Sequence, residues 1–124
     1  MTTPSNGEPD EMLAFLVARG RSLMEYGSAE RGLGIDNARA FVDLLFSRGI
    51  ALFGIEIWRE RGGRLHLSAL EIWYRTDQDL YVAHVDAMEY LAGIDAGPRD
   101  LLAVQFGRIP SGQSVQRSQA TDAK

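Results

Sequence analysis

The chain contains no cysteine, which removes disulfides, thiolate catalysis and every cysteine-ligated zinc or iron–sulfur site from consideration. Stability has to come from packing. Long apolar runs are missing too, and none approaches the roughly 20 residues that a membrane-spanning helix needs. Lysine is nearly absent, Lys124 standing alone among arginines, a bias that carries no functional conclusion. Positive charge is in deficit: the net charge of −4 argues against nucleic-acid binding, which rests on a basic patch. A basic protein partner suits it better.

Enzyme signatures are also lacking. There is no glycine-rich phosphate loop of the right spacing, no histidine pair one helical turn apart and no serine between motif glycines. The spacing of Gly32 and Gly34 before a helix matches no nucleotide fingerprint and reads as loop punctuation. Met1 to Glu8 shows no basic region followed by an apolar one, so no secretory signal is expected and a cytoplasmic location is the default.

What is present fits one soluble globular domain: 124 residues, 45% hydrophobic and 24% charged, enough for one core and too little for two. Residues 1–9 read as a flexible arm, 10–109 as a single α+β domain and 110–124, rich in serine and glutamine, as a disordered tail. A first helix is expected from Asp10 on the spacing of Leu13, Leu16, Val17, Leu23 and Met24, with Gly27 as its stop and Gly20 as a weak middle. A second has Asp36 as cap, a stripe of Ala38, Phe41, Val42 and Leu45, and Gly49 after Arg48 as its end. Leu80, Ala83, Ala87, Met88 and Leu91 fit a third helix ending at Gly93, although Tyr81-Val82 could prolong a strand instead. Leu102, Val104 and Phe106 alternate as in a last strand.

The centre is a hairpin, Leu52 to Trp58 and Leu65 to Tyr74, folded about Gly62-Gly63. If those glycines are the loop, Phe53, Ile55 and Ile57 stand beside Ile72, Leu70 and Ser68 on an apolar face. Leu52, Gly54, Glu56 and Trp58 then meet Trp73, Glu71, Ala69 and Leu67 on the other. The expected architecture is a small antiparallel sheet built on this hairpin, with two to three helices on one face and the other face left over.

Chemistry on that second face has two readings. Glu56 and Glu71 fall about 7 Å apart in this register, a separation at which paired carboxylates perform acid/base work or bind a divalent cation. The plainer reading, which is favoured, pairs them with arginines such as Arg59 or Arg75. His66 reads as a surface residue near the turn and His84 as a helix-surface or packing residue. Trp58 and Trp73 are the binding candidates, because tryptophan buries much area at interfaces while keeping a polar tip. Trp73 is balanced between contact and internal packing, while Trp58, nearer the turn, leans to exposure.

Gly54-Ile55-Glu56-Ile57-Trp58, a glycine turn, Leu70-Glu71-Ile72-Trp73-Tyr74, then a helix closing on Ala87-Met88-Glu89-Tyr90-Leu91 together resemble the immunity protein 40 family. These are small bacterial proteins encoded beside polymorphic toxins. The likeness spans roughly Ile35 to Leu91, with Ile55 where a second glycine is usual and Glu56 and Glu71 where aspartates are usual. It implies a non-enzymatic, cofactor-free antitoxin that occludes a cognate protein toxin, one candidate being a nuclease with a basic cleft. The expected partner surface is Glu56, Trp58, Glu71, Trp73 and Tyr74, with no catalytic or metal-binding residue and no nucleic-acid or membrane partner. The alternatives are an adaptor that uses the same face to form a homodimer and, further off, a small carboxylate-dependent enzyme.

Overall fold

The computed structural model describes residues 8–75 and 79–107. The expected tail over 110–124 and the first seven residues of the expected arm lie outside them. In chain order the elements are α1 (Glu8–Arg19), β1 (Arg21–Ser22), a 3-10 turn (Met24–Tyr26), β2 (Arg31–Gly32), α2 (Ile35–Ser47), β3 (Ala51–Arg61), β4 (Arg64–Leu67), a second 3-10 turn (Ala69–Glu71), β5 (Trp73–Tyr74), α3 (Leu80–Gly93) and β6 (Leu101–Gly107). The fold is α+β. Helix begins at Glu8, inside the stretch read as arm.

Helix α2 buries Ala38, Phe41, Val42 and Leu45, the i, i+3, i+4, i+7 stripe of an amphipathic helix. Gly34 takes the cap position and Asp36 sits in the first turn, where a carboxylate favours the positive helix end. Helix α3 starts where Asp79 accepts hydrogen bonds from the backbone N–H groups of Tyr81 and Val82 at 2.8 and 3.1 Å, so Tyr81-Val82 is helical rather than strand. Its buried side chains are Ala83, Ala87 and Leu91, small enough to let α3 lie close along α2.

Both helices pack on one face of a four-stranded antiparallel sheet whose central strand is β3. Leu52, Ile55 and Ile57 of β3 and Leu102 and Val104 of β6 meet Phe41, Leu45, Ala87 and Leu91 there, with Met12 arriving from α1. Strand β6 runs along one side of β3 from Trp58↔Leu101 to Ala51↔Gly107, with a bulge that leaves Phe53 as the extra residue.

On the other side of β3 the expected hairpin forms, then breaks. Gly62 and Gly63 carry φ of 61° and 83°, the two left-handed positions of a tight hairpin turn. Trp58 faces Leu67, as the glycine loop requires. Continuing that register would set Leu70 opposite Ile55; Trp73 stands there instead, three positions later. The 3-10 turn Ala69–Glu71 takes up the difference. An odd slip exchanges the two faces of a strand. Trp73 therefore turns to the helix side, where it packs against the core, and Tyr74 takes the place opposite Gly54 that Glu71 was expected to fill.

The first helix also ends early. Its last turn closes on Gly20, whose N–H donates to the Leu16 carbonyl at 2.8 Å, so Gly20 is the stop and not a weak middle. Leu23 and Met24 belong to the excursion that follows, in which β1 and β2 pair as a short antiparallel ribbon. Leu33 joins this ribbon to β6 by reciprocal backbone bonds with Leu102 at 2.8 and 2.7 Å. The excursion folds over one half of the second sheet face, where Leu23 packs with Trp58, Leu65 and Ala103, flanked by Tyr26 and Leu101. A two-stranded ribbon is marginal alone, and burying a side chain such as Leu23 contributes about 1.5–3 kcal/mol toward holding it.

Candidate functional site

The face opposite the helices is thus divided. Its covered half centres on Trp58, which is 7% exposed with the Tyr26 ring at a centroid distance of 6.5 Å. The lean toward exposure for Trp58 is corrected here: proximity to the turn put it at the sheet end that the excursion covers. A hydrophobic ring this buried is a core residue.

The open half is built on Gly54, Glu56 and the residues facing them. Tyr74 and Gln105 both stand opposite Gly54, one on each neighbouring strand. A Cβ on Gly54 would lie 2.9 Å from Gln105 Oε1 and 3.1 Å from the Trp73 carbonyl oxygen, so only glycine lets the flanking strands close in. Tyr74 is 59% exposed and the bulged Phe53 is 41% exposed. Across Gly54 from Tyr74, Gln105 Nε2 donates to Glu56 at 3.1 Å and to Glu30 at 3.3 Å. One neutral amide thus bridges two carboxylates.

Glu30 comes from the excursion just before β2. Burial raises its pKa above the ordinary glutamate value; the Gln105 bond opposes the rise and the Glu56 charge adds to it. Its Oε1 is buried without a hydrogen-bond partner among the described residues. A carboxylate pair therefore exists, and it is Glu30 with Glu56. Glu30 lies in a loop read as punctuation, 75 positions from Gln105 in sequence, and no local signal marks it.

Glu71 is elsewhere. In the 3-10 turn its carboxylate receives two hydrogen bonds from Arg59, at 3.1 and 2.5 Å, and one from Ser68 Oγ. These draw its pKa down to about 2, against the opposing pull of burial. Arg59 also donates to Asp100 at 2.8 Å and to the Asp95 carbonyl. Burial would raise the pKa of Asp100, but N–H groups of Glu60 and Gly97 together with Arg59 hold it below the usual range. Tyr90 Oη closes the cluster onto the Glu71 carbonyl at 2.6 Å. Pairing with Arg59 is thus borne out for Glu71, and the diagonal Glu56–Glu71 pair is replaced because the slipped register moves Glu71 off that face.

Of the five expected contact residues, Glu56 and Tyr74 share the open half-face. Trp58 is beneath the excursion, while Trp73 and Glu71 belong to the helix side and its rim. His66 is exposed on β4. His84 is a packing residue, stacked on Phe46 at 4.5 Å with Nε2 2.7 Å from Asp43.

Beside the open half runs a groove of about 320 Å³, lined by Leu13 and Leu16 of α1, by Ala29 to Arg31, by Phe53 and by Val104 to Phe106. Arg31 is held in that lining by its own chain, Nε and Nη2 donating to the Leu16 and Gly20 carbonyls, each at 3.1 Å. Among the described residues no group of three or more histidine, aspartate or glutamate side chains is placed to hold a metal ion, and no helix is long and apolar enough to cross a membrane. The molecule is a small α+β domain in which the described residues cover half of the second sheet face. No family model, curated protein or solved structure matches the chain.

Proposed function

We propose that the chain is an immunity protein, a non-enzymatic antitoxin that binds one cognate bacterial toxin and covers its active site. The resemblance to the immunity protein 40 family motivates the reading. One observation carries it: beside the half-face that the described residues leave open, Glu30 and Glu56 converge on one neutral amide, Gln105, with Tyr74 exposed across Gly54 and Phe53 exposed at the bulge. Such a surface suits a basic cleft, where charge steers association and the rings supply buried area. On this reading the protein works in the cytoplasm of the cell that makes the toxin.

Co-expression with a toxin domain found encoded beside its gene is the test. The wild-type chain restores growth, and the double variant Glu56→Lys, Tyr74→Ala loses that protection while keeping its circular dichroism spectrum. Full protection by the double variant would show that this face is not the toxin surface.

A further inference from the structure

The groove beside the open half-face has three properties that converge on one kind of occupant. Its rim is apolar and wet: Leu13 is 57% exposed and Phe53 41%, although each could bury far more area under a partner. Its lining holds one carboxylate, Glu30, and, among the described residues, few side-chain donors. Glu30 and Glu56 share Gln105 Nε2, Glu30 Oε1 has no partner among the described residues, and the one arginine of the lining is bound to backbone carbonyls of the α1 end. A buried carboxylate oxygen left unpaired is costly, and a cation brought to it recovers that cost.

The third property is a strand edge. Leu102 gives both its N–H and its C=O to Leu33, away from β3. Backbone direction repeats every second residue in an antiparallel strand, and the register between Leu102 and Val104 is regular. Val104 therefore turns its N–H and C=O to the same outer side, into the groove it lines. Outside the sheet, no backbone partner for Val104 exists among the described residues. Unpaired edge groups are what an added strand satisfies. At about 320 Å³ the groove is at the small end of ligand pockets, suited to one or two side chains.

We propose that this groove receives an extended segment of a protein partner, which pairs with β6 at Val104, sets an arginine or lysine against Glu30 and lays an adjacent apolar side chain between Leu13 and Phe53. The assignment rests on the reading of this face as a protein-binding surface, and it names the element the partner contributes. Charge selects the segment, since a neutral or acidic one would leave Glu30 unpaired or repelled. The edge of β6 fixes its direction, and Leu13 with Phe53 supplies the buried area.

Amide nitrogen–proton correlation spectra of the whole chain, titrated with the peptide acetyl-Val-Arg-Val-Leu-amide and its citrulline twin, test this without any toxin. The arginine peptide is expected to shift the amides of Leu13, Glu30, Phe53, Val104 and Gln105 and to bind about fivefold or more tightly than the neutral twin. Glu30→Gln abolishes that preference, and Leu13→Ser, an exposed change that leaves the core intact, weakens both peptides equally. Equal binding of the two peptides, shifts confined to other surfaces, or shifts at the groove that appear with protein concentration alone and so report a second copy, each overturn the assignment. Toxin neutralisation with a silent groove removes this inference and leaves the immunity reading standing. Selective peptide binding without neutralisation of any toxin upholds the groove and removes only that reading.

Discussion

Arg59 is the residue on which the rim of the helix side depends. Its guanidinium meets Glu71 at 2.5 Å and Asp100 at 2.8 Å, and the Arg59 side chain is only 18% exposed. The two carboxylates are not equivalent. Asp100 is buried, and losing its cation leaves a buried charge held only by the N–H groups of Glu60 and Gly97. Glu71 is 37% exposed, and water replaces much of what it loses. Arg59→Met should therefore cost about 2–4 kcal/mol in urea unfolding, while Glu71→Gln should cost at most about 1 kcal/mol. A larger loss from Glu71→Gln than from Arg59→Met would refute this division. The same logic separates the aromatic residues. Trp58→Ala removes a buried ring and should cost about 3–5 kcal/mol, whereas Tyr74→Ala, exposed at the surface, should stay within about 0.5 kcal/mol. If the tryptophan variant unfolded no more easily than the tyrosine one, Trp58 would not be core.

At the scale of elements, the slip between β4 and β5 decides which side chains the open face presents. Leu70-Glu71-Ile72-Trp73 alternates like a strand, so its periodicity gives no warning of a 3-10 turn; the turn is held by Ser68 and Arg59 closing on Glu71, which are contacts made in three dimensions. The glycine turn, α2, α3 and β6 were legible because each has its own local signal: two consecutive glycines, an i to i+7 stripe, helical spacing closed by Gly93, an alternation. The excursion over Trp58 was not, since its two-residue strands are below what periodicity can resolve, and Glu30 came to the site only through it. Gly54 ties both flanking strands together. Gly54→Ala would bring a methyl within 2.9 Å of Gln105 Oε1 and 3.1 Å of the Trp73 carbonyl, of which the amide can swing away and the carbonyl cannot without moving β5. We expect a cost of about 1–3 kcal/mol in urea unfolding, together with loss of the Gln105 bridge. A variant as stable as the parent would mean that β5 is free to shift outward.

For the whole molecule, the two carboxylate systems set opposite slopes of stability against pH. Glu71 and Asp100 have folded pKa values below their ordinary ones, so their contribution is complete above the unfolded values near 4 and is lost as pH falls from there through about 2 for Glu71. Glu30 is raised, so its ionised form weakens the fold at neutrality, and that cost is relieved as pH falls through its raised value. Stability should rise slightly from neutral toward mildly acid solution and then drop steeply. Glu30→Gln removes the first slope alone: it should stabilise the chain by on the order of 0.5–1 kcal/mol at pH near 7 and leave the acid limb unchanged. Urea midpoints of the two proteins at about pH 7, 5 and 3 measure both limbs. A Glu30→Gln protein less stable than its parent at neutral pH would show that the carboxylate supports the fold. A more stable one identifies a charge that the fold carries at a loss, as binding surfaces do when the compensating charge resides on the partner.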